Sequence, residues 1–376
     1  MKTPRKNNTR KSDGQVSYAV VGLGHIAQGA VLPAFRHVRN SRLVALVSDD
    51  PVKRDKLCRK YKVAQTYSYK DYEVCLRSGE IDAVYIALPN SMHKEFAVRA
   101  AQAGIHVLCE KPLAVTEQQC EEIIRACAEN EVKLMTAYRL HFAKANLEAI
   151  RVVQSGDIGE PRIFNSLFTM QVKEGNIRLQ KELGGGSLYD IGIYCINAAR
   201  YLFRDEPTEV AAFSARNGDK RFREVDEMTT GMLRFPNNRL ATFTSSFGAA
   251  DASVYEVVGT KGLVRLNNAY EYAEEAKIEV IKSGKKQRRV YTQRDQFAAE
   301  LIYFSECVLR NKQPEPSGIE GLIDVHILRS LYESAESGRP VKLKELVRQR
   351  RPSSQQEISR RPVRKRTMVH AQAPTR

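Results

Sequence analysis

A lysine within LCEKPLA and an aspartate–tyrosine pair within GGGSLYDIGIYCIN are the residues whose types and spacing best suit chemistry in this chain. Lys111, between Glu110 and Pro112, closes an apolar run that reads as a buried parallel strand. Ligands of open α/β sheets sit at the C-terminal ends of such strands. A lysine there can give a proton to, or take one from, a carbonyl or hydroxyl undergoing hydride transfer. Free lysine titrates near 10.4, so acting as a base near neutrality requires a fall of roughly 3 units, about 4 kcal/mol, from burial and a neighbouring cation. Asp190 and Tyr194 stand at i and i+4, stacked on one helix face behind a glycine run that admits something flat. Asp190 can orient Lys111 or a substrate hydroxyl, and Tyr194 can pass a proton. The plainer alternatives are a surface lysine at a strand end, a helix cap and a packed ring.

What these groups would act on is indicated by VSYAVVGLGHIAQ, where Gly22-x-Gly24-x-x-Ala27 follows a strand and opens a helix. The first glycine makes the tight turn, and the second lets the backbone approach a pyrophosphate. The small third residue lets helix and strand pack closely, while the helix start at His25 and Ile26 favours phosphate charge. A dinucleotide site is therefore expected. The second strand ends LVALVSDDPVKR, and this end selects the cofactor. Ser48, Lys53 and Arg54 suit a 2′-phosphate, whereas Asp49 and Asp50 suit the free ribose hydroxyls of NAD. The reading favours NADP and leaves NAD open, since the basic pair is equally compatible with solvated helix surface. LPNSMH, at another strand end, adds Leu88, Pro89, Asn90 and His93 near the nicotinamide. YRLHF adds Tyr138, Arg139 and His141 where two domains would meet.

The elements that must position these residues fall into two patterns. From Val16, short wholly apolar runs (16–21, 43–47, 82–88, 105–109, 133–138) alternate with helical spacing (25–38, from 51, 91–103, 116–130). That alternation means a parallel sheet covered on both faces, a doubly wound Rossmann domain over 16–140. Beyond it come a helix over 142–155, a helix opened by Gly184–Gly186, alternating runs over 208–291 with turns PNN, GTKG and KSGKK, and helices at 293–310 and 318–337. These suit an α+β domain with a large, mainly antiparallel sheet over 141–345.

A net charge of +16 over 376 residues would suggest nucleic acid, but the charge lies at the ends. Residues 1–15 carry five Lys/Arg against one Asp, and residues 347–376 carry nine against one Glu, so the body is nearly neutral. Both ends, 1–15 and 346–376, read as disordered basic segments, and a nucleic-acid partner is not expected. No transmembrane run or Sec-type leader is visible, which points to the cytoplasm. The seven cysteines form no CxxC pair, and the histidines show no metal spacing, so no metal site is expected.

The motifs YAVVGLGHIA, SRLVALVS, IDAVYIALPNSMH, GIHVLCEKPLA, KLMTAYRLHF and KELGGGSLYDIGIYCINAARYL together resemble the Gfo/Idh/MocA oxidoreductases, most closely their glucose–fructose oxidoreductase branch, from about Val16 to Leu343. The resemblance implies a sugar bound between a Rossmann domain and a sheet domain, with subunits associating through the sheet. It gives the catalytic role to Lys111, Asp190 and Tyr194. It gives cofactor contacts to Gly22, Gly24, His25, Ile26, Ala27, Ser48, Lys53, Leu88, Pro89, Asn90, His93, Glu110, Lys111 and Arg139, and substrate contacts to Tyr138 and Arg178 besides the catalytic three. Tyr194, where many relatives carry histidine, points to that branch. Two departures stand out: Ile177 replaces a tryptophan, and Phe247 stands where a tyrosine hydroxyl lines the branch's site.

The expectation is an NADP-dependent aldose oxidoreductase moving hydride between pyranose C1 and nicotinamide C4, with a second sugar able to reoxidise retained cofactor. A dehydrogenase or reductase of another polyol, such as an inositol or an anhydro-sugar, is the alternative within enzymes. A nucleotide-sensing regulatory protein is the alternative outside them, although a sensor has no use for Lys111, Asp190 and Tyr194 together.

Overall fold

A computed structural model of the chain describes residues 14–346, 350–363 and 367–375. The six residues of β1 (Val16–Val21) are all buried, as a strand covered on both faces requires. It lies at the centre of a wholly parallel sheet with β2 (Ser41–Val47), β3 (Gln65–Tyr67), β4 (Ala83–Ile86), β5 (His106–Glu110) and β6 (Leu134–Ala137), in the order β3-β2-β1-β4-β5-β6. Strand order reverses between β1 and β4, so the connections there diverge and leave a crevice at the strands' C-terminal ends. The helix expected at 25–38 forms, but its turn Ala27–Val31 is wound one residue wider than an α-helix and its end Phe35–His37 is tightened. The short half-buried strand β3 carries too weak a pattern to be read beforehand.

The second sheet has nine strands in the order β14-β13-β12-β11-β7-β10-β9-β8-β15. Its centre is β7 (Pro161–Thr169), parallel to β10 (Arg239–Ser246) and antiparallel to β11 (Ala252–Gly259). The others are β8 (Glu209–Ala215), β9 (Met228–Phe235), β12 (Gly262–Asn267), β13 (Ala276–Lys282), β14 (Lys285–Tyr291) and β15 (Val341–Lys342), all paired antiparallel. The helices Lys144–Gln154 and Ile193–Phe203 cover one face. The other leaves Ile163, Phe213, Met232 and Leu240 exposed on β7 to β10, Phe213 by 80%.

Two expectations change. The helix Gln296–Leu309, read as part of the rear domain, covers the front one. Phe297, Leu301 and Phe304 pack with Val16, Tyr18 and Leu46, and the Tyr18 and Ser305 hydroxyls meet at 2.7 Å. The helix Gly318–Ser337 serves both cores, with Leu322 and Val325 facing forward and Ile323, Ile327, Leu328 and Leu331 facing back. The C-terminal tail, expected to be disordered, lies along the body wherever it is described. Arg351 pairs with Glu206 at 3.0 Å, the Gln356 amide donates to the Glu315 carbonyl at 2.7 Å, and the Asp295 N–H donates to the Arg360 carbonyl at 3.1 Å. Composition predicts how much apolar area a segment can bury, not whether its polar groups find partners. Almost all of the expected N-terminal arm lies outside the described residues. Among the described residues no helix is long and apolar enough to cross a membrane.

Candidate active site

The crevice deepens into a cavity of about 630 Å³ between the two sheets' domains. Its floor is the β1 turn. Gly22 has φ +91°, and a Cβ there would stand 2.4 Å from the Ala87 carbonyl oxygen, so only glycine fits. A Cβ on Gly24 would meet nothing within 4 Å, which leaves the turn open toward the cavity. Ala27 is fully buried against the strand. Leu23, Gly24, His25 and Ile26 line the floor, at the helix start whose first N–H groups have no intrahelical partner. A pyrophosphate fits this cradle, since open backbone, free donors and the positive helix end coincide.

At the end of β2 the competing groups separate. Ser48 and Lys53 line the cavity. Asp49 turns away to accept the Tyr69 N–H at 2.7 Å, and Asp50 caps the helix Pro51–Tyr61 by accepting the Lys53 N–H at 3.0 Å. Arg54 is spent on the Ser48 carbonyl. Both acids thus accept from backbone N–H groups, while the Ser48 hydroxyl, which accepts the Asp50 N–H at 3.3 Å, and Lys53 line the cavity.

The far end holds the cluster read from the sequence. Lys111 Nζ donates to the Asp190 carbonyl at 2.5 Å and to Asp190 Oδ1 at 3.2 Å, and stands 4.6 Å from the centre of the Tyr194 ring. Arg178 Nε donates to Asp190 Oδ2 at 2.6 Å, and the Arg139 guanidinium lies 5.0 Å from the same tyrosine ring. Glu110 Oε1 accepts from the Tyr85 hydroxyl at 2.8 Å. Burial opposes the charge on Lys111, but Asp190, Tyr194 and Glu110 outweigh it, and the ammonium is held above its ordinary pKa. Burial likewise pushes the Asp190 carboxyl up, and Arg178 and Lys111 more than reverse this. The chain's own groups therefore do the opposite of the lowering expected for Lys111. They stabilise its cation.

Leu88, Pro89, Asn90, Glu110 and Arg139 line the cavity as expected, and the Asn90 amide donates to the Gly184 carbonyl at 2.8 Å. His93 does not reach it. Its ring is fully buried between the Pro112 and Leu88 carbonyls, each 2.9 Å away, where it clamps the two strand-end loops together. Tyr138 does not reach it either. Successive residues leaving a strand point to opposite sides, so Arg139 enters the cavity while Tyr138 stacks on His141, with ring centres 5.6 Å apart, in the core behind. Phe247 is likewise core rather than lining, whereas Ile177 stands at the mouth. Unforeseen lining comes from Tyr69, Phe168, Glu271, Tyr272, the loop Lys173–Asn176 and the tail residues 370–374. The aromatic pair in NNAYEYAEE offered a faint signal for Tyr272. The tail offered none.

A pyrophosphate cradle and a charged lysine–carboxylate–phenol cluster within one cavity define an oxidoreductase of the dinucleotide-dependent class. Comparison with known proteins agrees. Residues 16–138 match the family model described as "Oxidoreductase family, NAD-binding Rossmann fold", and residues 146–265 match the "GFO/IDH/MocA C-terminal domain". D-xylose 1-dehydrogenase (NADP(+)) of Haloarcula marismortui is 31% identical over 88% of this chain and 94% of its own length. A second such enzyme, from Haloferax volcanii, is 29% identical over 87% of this chain and 99% of its own. The crystal structure of aldose–aldose oxidoreductase from Caulobacter crescentus complexed with glycerol shares 37% identity at a TM-score of 0.84, covering 88% of this chain and all of that one. The chain belongs to the Gfo/Idh/MocA oxidoreductase family.

Proposed function

We propose that the protein is an NADP-dependent aldose oxidoreductase that oxidises C1 of a pyranose to the lactone. One observation carries the reading: Lys111, fixed by Asp190 against Tyr194, shares a cavity with a glycine-loop phosphate cradle whose ribose end offers Ser48 and Lys53 but no carboxylate. The bound nucleotide supplies the hydride acceptor. Asp190, itself held by Arg178, anchors two of the three Lys111 N–H donors, leaving one for the substrate oxygen. Lys111, with Tyr194, takes the hydroxyl proton as hydride leaves C1, and in the reverse direction the ammonium returns it; because Asp190 and Glu110 hold that ammonium above its ordinary pKa, oxidation runs on the fraction that has lost its proton. The named activities of the relatives, a xylose dehydrogenase and an aldose–aldose oxidoreductase, support an aldose over another polyol.

If the nucleotide stays bound, a second sugar reoxidises it in a ping-pong cycle. Mass spectrometry of nucleotide released from desalted protein is expected to find NADP, with turnover needing two sugars and no added cofactor. Release of NAD alone would overturn the cofactor reading, and dependence on added cofactor would overturn the cycle. Lys53→Ala is expected to weaken NADP about tenfold and NAD less than twofold in titrations of the nucleotide-free protein, as loss of one charged contact to the 2′-phosphate. Equal losses for both nucleotides would place Lys53 elsewhere.

The reading carries two further expectations. Copies associate through the outer face of the second sheet, where Ile163, Phe213, Met232 and Leu240 stand exposed on adjacent strands. The protein works in the cytoplasm, a setting that suits seven free cysteines.

A further inference from the structure

The unexpected wall of the cavity is the end of the chain. Residues 367–375, TMVHAQAPT, run across the mouth of the nucleotide crevice and are fastened on both sides. On the front domain the buried Gln28 amide donates to the Val369 carbonyl at 2.8 Å and accepts the Val369 N–H at 2.7 Å. The same Gln28 nitrogen donates to the Leu23 carbonyl at 2.9 Å, so one side chain ties this segment to the glycine turn itself. Met368 rests on Gly29, where a Cβ would meet its Cε at 2.9 Å. His370 Nδ1 lies 3.0 Å from the carboxylate of Asp50, the cap beside Ser48 and Lys53. On the rear domain the Lys173 N–H donates to the Pro374 carbonyl at 2.9 Å, and Thr375 bridges Val172.

We infer that residues 367–375 form a strap across the nucleotide site that holds the nucleotide in place between turnovers. The inference rests on the dinucleotide reading above and adds to it the residues that govern exchange. The segment is a wall and not a plug. The glycine turn, Ser48, Lys53 and Lys111 still line one continuous cavity of about 630 Å³ beneath it, within the roughly 300–1,000 Å³ of ordinary ligand sites. Ala371 and Ala373 put no bulk into that space. His370 is the only titratable side chain of the strap, so it acts by closing the route out and not by charge. Its contribution to retention is accordingly insensitive to salt, unlike that of Lys53.

The test loads the full chain with NADPH and follows its fluorescence on mixing with excess NADP, at low and high salt. The chain lacking residues 367–376, and the full chain carrying Val369→Pro, which removes the N–H that Gln28 accepts, are measured alongside. Both variants are expected to release NADPH at least about tenfold faster than the unaltered protein, by a ratio that salt does not change. Equal release rates would overturn the strap, and slower release from the shortened chain would show that the segment competes with nucleotide. If the unaltered chain binds no nucleotide, the dinucleotide reading itself fails, and the strap fails with it.

Discussion

Replacing Lys111 by alanine is expected to lower kcat about a thousandfold while changing nucleotide affinity by less than about tenfold. The size follows from the role, since a positioned proton donor or acceptor contributes typically about 10² to 10⁴ in rate, and a thousandfold is about 4 kcal/mol of barrier. The division between kcat and binding follows from the geometry. On the proposed reading the phosphates belong to the Gly22–Ile26 turn, whereas the Lys111 ammonium is occupied with Asp190. Arginine at the position is expected not to rescue, because a guanidinium keeps its protons and cannot exchange one. Asp190→Asn is the companion measurement. Asp190 is the leading group that raises the Lys111 pKa, so its removal lets that pKa fall, and the limb of the oxidation profile that rises as Lys111 loses its proton moves to lower pH. An unmoved limb would mean that another group titrates there. Steady-state rates across pH, with nucleotide retention checked on each variant, decide both points. Undiminished turnover by the alanine variant would remove Lys111 from the mechanism.

Lys111, Asp190 and Tyr194 were legible because each belongs to a motif that fixes its own element: an apolar strand ending in Glu-Lys-Pro, and a helix opened by glycines. Ser48 and Lys53 were legible as candidates. What sequence could not show was where Asp49 and Asp50 would turn, since the Tyr69 N–H that draws Asp49 away lies in the bend just after the short strand β3, which carries too weak a pattern to read. His93 and Tyr138 failed for a related reason. Tyr138 adjoins the lining residue Arg139, and His93 stands three residues after the lining residue Asn90, so only the direction of the side chain separates wall from core. The strand β7 was missed because Asn165 and Ser166 interrupt its apolar residues, although it is the centre of the second sheet. The helix Gln296–Leu309 shows the limit of periodicity, which reveals that one face must be covered but not by which sheet. Pairing across more than three hundred residues, as between Gln28 and Val369, leaves no local trace at all.

Arg200→Met is expected to cost about 3–5 kcal/mol of unfolding free energy at pH 8, the usual penalty for removing one partner of a buried ion pair. Arg200 is fully buried on the helix Ile193–Phe203. Its guanidinium meets Glu206 at 2.5 Å, Glu320 at 3.0 Å and Asp324, while the Asn197 amide donates to Glu320 at 2.6 Å and to Asp324 at 2.7 Å. Glu320 and Asp324 are themselves wholly buried on the helix Gly318–Ser337, so the arginine is their charge balance. Even with it present, burial pushes the Asp324 carboxyl up to about 6, with Arg200 lowering it and Glu320 raising it. A carboxyl raised on folding stabilises the fold most when protonated. Its contribution falls as pH climbs from the unfolded value near 4 to the folded value near 6, and is level above that. Methionine removes the lowering influence, so the folded pKa values rise and the loss continues past pH 6. The gap between variant and parent should therefore widen from pH 5 to pH 8, as read from denaturant midpoints at each pH. Adding Glu320→Gln and Asp324→Asn should recover at least half of the loss, since those amides still accept from Asn197 without carrying charge. A loss below about 1 kcal/mol that does not change with pH would mean that water reaches these carboxylates, and that the helix bearing Asn197, Arg200 and Tyr194 is held by apolar packing alone.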